Sequence, residues 1–318
     1  GLEHYYGKEI HLTDATTVDA LKAVEVAVTK EKPFYLYLAH YAVHAPIRPH
    51  PPYDDNYKGK KYVGANIPVP GVEVSYASMV EGMDASLGQV LDKLDELKVA
   101  EDTIIMFSSD NGGLSYGVRD KTPRNTGRNT HCWPLKAGKG SAYEGGTRVP
   151  MIISWARPNA KNPHQKKIPI AAASICDTPN ICEDYYPTLC NWAGISDLLA
   201  GREDIDGRDL TADITGKPPK VTQPLLFHYP HVWGPHGPGY EPHSSIRLGD
   251  WKAIYFYQPQ RWELYNLKDD LGEAKNLAST HLERLKDLSD RMKIEHDRRN
   301  AQYPANRETK EPELPVWR

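Results

Sequence analysis

Asp110 and Asn111, followed at once by Gly112 and Gly113, place two hard oxygen donors side by side where the chain is free to turn. Such donors suit a divalent cation, while the same four residue types also make an ordinary turn. A second candidate is Lys139, an ammonium set between Gly138 and Gly140. Glycines there let the backbone approach a ligand closely, and the lysine offers a point charge to an anion. The GxxxxGK[ST] spacing of a nucleotide-binding loop is missing. A third is the run His40-Tyr41-Ala42-Val43-His44-Ala45-Pro46-Ile47-Arg48-Pro49-His50. Its histidines and arginine could bind an anion, act as general acid or base, or ligate metal. The fourth is the loop from His228 to His243, which holds His231. Aromatic and imidazole groups on a Gly/Pro-stiffened loop suit a sugar or an aryl ring, with a metal-binding histidine cluster or a plain surface loop as the alternatives.

These groups need elements to position them. The run Thr103-Ile104-Ile105-Met106-Phe107 is rich in β-branched and aromatic residues and reads as a buried strand leading into Asp110. Phe34 to Ala39 reads as another strand, leading into the His40 run. Before it, a helix capped by Thr13 carries Val18, Leu21, Val24 and Val28 at helical spacing, and Lys32-Pro33 stops it. Val80, Met83, Leu87, Val90, Leu91, Leu94 and Leu97 mark a second amphipathic helix. Strands separated by long helices imply crossovers, hence an α/β chain with a mainly parallel sheet and flanking helices. His44 and Asp110 would then share the carboxyl edge of that sheet, where open α/β folds bind ligands.

Beyond Gly113 a long irregular segment carries Arg119, Lys121, Arg124, Arg128, His131 and Lys136, and a loop of that length inside a compact domain is usually functional or disordered. From Val221 the texture changes. Leu225–Tyr229, Ser245–Leu248, Trp251–Tyr257 and Trp262–Asn266 read as an antiparallel meander with tight turns such as Gly249-Asp250. A helix from Ser279 to Arg298 follows, with Leu282, Leu285, Leu288 and Met292 as its apolar stripe, and after Asn300 the chain becomes a polar, Pro-rich arm.

A net charge of −3 over 318 residues gives no basic excess to argue for nucleic acid, and no apolar run is long enough to span a membrane. Cys132, Cys176, Cys182 and Cys190 show neither CxxC nor zinc spacing and read as free or as one bridged pair at most.

Six blocks in order resemble the formylglycine-dependent sulfatases, which share the alkaline-phosphatase-like fold. They are His44-Ala45-Pro46, Met79 to Asp84 leading to Ser109-Asp110-Asn111-Gly112-Gly113, Gly138-Lys139-Gly140 with Tyr143 to Pro150, Asp184 to Leu189, Asp206 to Leu210, and Arg247 to Lys252 running on to Glu263 to Ala278. The resemblance implies that residues 1–220 form the carboxyl-terminal part of an α/β sulfatase catalytic domain and residues 221–318 a small antiparallel sheet subdomain with a terminal helix. It implies that Asp110 and Asn111 ligate calcium, before magnesium, and that Lys139 and His44 are catalytic groups facing the sulfate. His231 becomes a contact to a sulfated small molecule or glycan. A periplasmic or secreted location is implied by the family alone.

The departures matter as much. The family's C/S-x-P/A-x-R signature for the formylglycine nucleophile is absent, as is its first Asp-Asp metal pair. Cys132-Trp133-Pro134-Leu135-Lys136 imitates the signature but has Lys where Arg is needed, and Asp54-Asp55 and Asp269-Asp270 lie in the wrong surroundings. The expectation is therefore a carboxyl-terminal portion whose formylglycine lies in a missing amino-terminal part, unstable and inactive alone. A phosphomonoester or phosphonate-ester hydrolase on the same fold, or an inactive protein that binds sulfated glycans, is the alternative.

Overall fold

A computed structural model of the chain describes residues 2–51, 53–61, 71–114, 132, 134–217, 223–232, 238–258 and 260–318. By its contacts the chain forms two compact units. One comprises Gly1–Met106, Gly117–Asn129 and Ile152–Lys167, the other Phe107–Tyr116, Thr130–Met151 and Ile168–Arg318.

In the first unit, helices α1 (Leu12–Thr29) and α2 (Gly71–Glu96) pack together through most of the apolar positions that their spacing foretells, but Val80 of the expected stripe is exposed. Val24, Val90 and Leu94 are buried together with Ala100, and Leu21, Val28 and Leu97 close over them. The helix cap differs from expectation. His11 caps α1, its Nδ1 accepting the Thr13 backbone N–H at 3.3 Å, and Thr13 itself lies buried inside the helix.

Among the described residues there is no mainly parallel sheet. Helices hold 35% of the residues and strands 13%, and the sheets are small and antiparallel. Strand β1 (Ile104–Ser108) pairs with β2 (Met151–Trp155). The Ala156 N–H donates to the Thr103 carbonyl at 2.8 Å and the Gly112 N–H to the Gly146 carbonyl at 3.0 Å, so one strand ascends in number as the other descends. The expectation failed because it assumed that each strand pairs with the strand before its helix. Phe34 to Ala39 is extended but belongs to no strand among the described residues. It shows a strand's alternation all the same: Phe34, Leu36 and Leu38 pack on the helical core, while Tyr35 and Tyr37 are exposed. Period-2 burial reports an extended backbone, whereas a strand also needs a ladder partner.

In the second unit, helix α3 (Tyr185–Trp192) precedes a four-stranded antiparallel meander of β3 (Leu225–Tyr229), β4 (His243–Leu248), β5 (Trp251–Phe256) and β6 (Arg261–Asn266). Both faces are covered. Tyr255, Trp262 and Leu264 pack on Leu285, Leu288 and Met292 of helix α4 (Leu282–Arg299). Ile254, Phe256 and Tyr265 pack on Ala142 and Tyr143. The register puts Arg247 opposite Lys252, Lys252 opposite Tyr265 and Ile254 opposite Glu263, so those charged residues share the second face. The terminal arm is fastened to this unit: the Trp262 indole N–H donates to the Val316 carbonyl at 2.7 Å, and the Arg318 N–H to Ser289 Oγ at 2.9 Å.

Candidate functional site

Three short stretches of backbone cross beyond the end of β1, and glycines make the crossing possible. The Gly112 N–H donates to the Gly146 carbonyl, and a Cβ on Gly112 would lie 1.7 Å from the Gly145 oxygen. A Cβ on Gly145 would lie 2.3 Å from the carbonyl oxygens of both Lys136 and Ala137, and one on Gly146 the same distance from that of Ser141. Only residues without a side chain fit at such separations. The Lys139 N–H then donates to the Gly113 carbonyl at 2.9 Å, and Gly140 turns the loop with φ +81°. Two motifs some 25 residues apart in sequence thus become neighbours through backbone alone.

Chemically active side chains are left open here. Asp110 is exposed, and Lys139 is half-buried. Among the described residues neither carboxylate nor ammonium takes part in an ion pair or hydrogen bond. Asn111 Nδ2 donates to the Gly112 carbonyl at 2.9 Å, which leaves Oδ1 as its available donor to a cation. An exposed carboxylate beside an amide oxygen fits a hard cation. Among the described residues no group of three or more His, Cys, Asp or Glu gathers as a metal centre, so the pair supplies only part of the six to eight oxygens such an ion takes.

Behind the open groups lies a buried network that the sequence reading did not single out. Glu144, Lys252 and Glu273 are 2%, 1% and 0% exposed. Lys252 Nζ donates to Glu144 Oε1 at 2.9 Å and lies 3.1 Å from Glu273 Oε1, while the Glu144 N–H donates to Glu273 Oε2 at 2.7 Å. Arg247 and Arg148 reach the other Glu144 oxygen at 3.4 and 3.7 Å. Burial pushes the Glu144 carboxyl up, but Lys252 and the two arginines outweigh it and hold the group below the usual carboxylate range. For Glu273 burial wins, with Lys252 offsetting only part of it, and that carboxyl is raised. Geometry agrees with this split, since the lysine's contact to Glu273 has ion-pair distance without hydrogen-bond alignment.

Lys136 belongs to the same frame. Its ammonium sits 3.7 Å from the Tyr143 ring centroid and donates to the Glu273 carbonyl at 3.1 Å, and burial lowers its pKa. Tyr143 and Tyr265 both donate to Glu263 Oε2, at 2.8 and 2.6 Å. One signal for these residues exists in the sequence: Lys252 and Glu263 occupy inward positions of apolar strands, where a charge must find a partner.

Of the remaining candidates, His231 is exposed on the loop after β3, its ring 5.7 Å from Tyr229. The far end of that loop is fixed beside Lys139, because Ser141 Oγ donates to the Pro238 carbonyl at 2.8 Å and the Ala142 N–H to that of Gly239 at 3.1 Å. His44 lies in the first unit, where its Nδ1 donates to the Ala45 carbonyl at 2.8 Å, so the proton sits on Nδ1 and leaves Nε2 for chemistry. Arg119, Lys121, Arg124, Arg128 and His131 lie outside the described residues. None of the four cysteines is in a disulfide among the described residues, and the Cys132 sulfur accepts the Gly113 N–H at 3.1 Å.

A family model described as sulfatase matches residues 3–195, and one described as N-sulphoglucosamine sulphohydrolase, C-terminal, matches residues 137–301. A sulfatase of Formosa agariphila is 30% identical over 291 residues, which are 86% of this chain and 47% of that protein. Human steryl-sulfatase is 33% identical over 246 residues, 77% of this chain and 36% of its own. The crystal structure of Ps i-CgsB in complex with k-i-k-neocarrahexaose superposes with a TM-score of 0.70 at 27% identity, covering 95% of this chain and 60% of that one. The chain thus spans less than half the length of these two curated relatives.

Proposed function

We propose, from the premise that this chain belongs to the sulfatase family, that the protein it represents hydrolyses a sulfate monoester on a carbohydrate. The observation that carries this reading is the backbone crossing that ties Lys139 to Gly113, two residues beyond Asn111, while its ammonium has no partner among the described residues. Such an ammonium suits an anionic substrate, and its charge offsets the negative charge that grows on sulfuryl oxygens in the transition state. Asp110 and Asn111 would hold calcium through a carboxylate and an amide oxygen, and the ion would add positive charge to the same oxyanion. His44, whose Nδ1–H is committed to the Ala45 carbonyl, would as an imidazolium carry a second proton on Nε2, with which it binds the ester oxygen or protonates the departing alcohol. His231 contacts the substrate from the loop tied to Ser141 and Ala142. No C/S-x-P/A-x-R signature occurs in these 318 residues, so the reading assigns the formylglycine nucleophile to sequence outside them. Residues 221–318 serve as the small sheet subdomain, and the location is periplasmic or secreted. No helix among the described residues is long and apolar enough to cross a membrane.

A carbohydrate is favoured over other sulfate esters by the sugar-directed model over residues 137–301 and by the neocarrahexaose complex. The test is sulfate release by the full-length protein from sulfated oligosaccharides, steryl sulfate and matched phosphate esters, with and without a calcium chelator. The expected result is calcium-dependent release, fastest from an oligosaccharide. Faster cleavage of phosphate esters would reject the reading, as would binding of the sulfated sugar without turnover.

A further inference from the structure

A lysine 1% exposed near the start of an interior strand is costly to maintain. Replacing a buried ion pair by apolar residues is often neutral or stabilising, so stability alone gives a weak reason for Lys252. What the lysine does fix is position. Glu144 is held twice, its carboxylate by Lys252 and its backbone N–H by Glu273. The next two residues are Gly145 and Gly146, whose backbones meet Gly112 on one side and the stretch Lys136 to Ser141 on the other. Movement of Glu144 would therefore shift both the Asp110-Asn111 turn and the Lys139 loop. At the crossing itself the loops meet through glycine backbone, with the Cys132 sulfur on the Gly113 N–H and the Asn111 amide on the Gly112 carbonyl as local side-chain contacts.

We propose that Lys252, clamped between Glu144 and Glu273, is a positioning residue for the reaction, acting through the Glu144-Gly145-Gly146 turn to set Lys139 against Asp110 and Asn111. This rests on the sulfatase reading above. Lys252 is sealed from solvent, and its reach into the site runs through one carboxylate and two glycines.

The experiment uses the full-length enzyme with 4-nitrophenyl sulfate as probe, comparing Lys252→Met, Lys139→Ala and the double variant. Lys252→Met should lower kcat by about tenfold to a hundredfold with KM within about threefold, the signature of misplaced groups. In the Lys139→Ala background the same change should cost no more than about twofold, because the ammonium it positions is gone. Equal kcat losses in both backgrounds would overturn the proposal, since a general loss of fold would act alike on both. Should Lys252→Met fail to fold, Glu144→Gln keeps an acceptor for the lysine and removes the charge, and it enters the same cycle.

Hydrogen exchange supplies a readout free of turnover. Faster exchange across residues 136–147 and 109–113 in the Lys252 variant is expected, and faster exchange confined to residues 250–254 and 272–274 would reject the positioning role. A wild-type enzyme that releases sulfate neither from the probe nor from the sulfated oligosaccharides would count against the sulfatase reading alone, and the exchange result then decides the claim about Lys252.

Discussion

The turn after β1 and the sheet face behind it carry the same kinds of group and treat them oppositely. Asp110 and Lys139 keep their charges without partners among the described residues, whereas Glu144, Lys252 and Glu273 are sealed from water and paired at 2.9 to 3.1 Å. A charge meant for a ligand must stay unsatisfied by protein; a charge meant to hold structure must be paired, because an unpaired buried ion is costly. The glycines at 112, 145 and 146 connect the regions mechanically while adding no side chain that could neutralise the open groups.

The comparison breaks if charge removal has the same consequence in both places. Glu144→Ala should have the largest effect. It leaves Lys252 buried with one poorly aligned partner, and urea denaturation should show a loss of about 3–5 kcal/mol. Lys139→Ala should do the reverse, lowering kcat by about a hundredfold to a thousandfold. Its unfolding free energy should stay within about 0.5 kcal/mol of wild type. If Lys139→Ala destabilised as much as Glu144→Ala, the distinction between open and sealed charges would be wrong.

Acid sharpens the same contrast. Burial lowers His296 and His243 to about 4 from an ordinary value of 6.5. Between those values the unfolded chain takes up protons that the folded chain refuses, so stability is full above pH 6.5 and falls as pH drops toward 4. Each histidine contributes a slope of up to about 1.4 kcal/mol per pH unit in that window. His296 has Tyr303 at 3.2 Å from Nδ1, and its Nε2 has no hydrogen-bond partner among the described residues. His296→Gln should flatten the urea midpoint's dependence on pH between 6.5 and 4.5; an unchanged slope would remove this histidine from the account. The smallest effect belongs to the exposed His231. His231→Ala should raise KM by about threefold to tenfold through one lost contact, with stability changed by less than about 0.5 kcal/mol. Unchanged kinetics would take His231 out of the substrate site.

Local chemistry was legible in the sequence wherever a short window contained its own reason. Val24, Val90 and Leu94 announced the helical core by spacing, and Leu285, Leu288 and Met292 announced the stripe of α4. Strand β1 running into Asp110 and Asn111 was legible too, as was the glycine-bounded Lys139. Phe34 to Leu38 misled because alternation is the same whether or not a neighbour completes the ladder. The parallel sheet misled because crossover reasoning presumes which strands are neighbours, and β1 is paired instead with a strand beyond a long loop.

What the sequence determined by itself, then, is which groups are available and which stretches are helical, extended or free to turn, since these depend on residues a few positions apart. Only the tertiary structure decided which charges are spent and which remain. Glu144 meets Lys252 across 108 positions and Lys136 meets Glu273 across 137. Pairing at such separations follows from strand register and from which backbones a glycine lets touch, and it is the folded chain that leaves Lys139 without a partner among the described residues while burying Lys252.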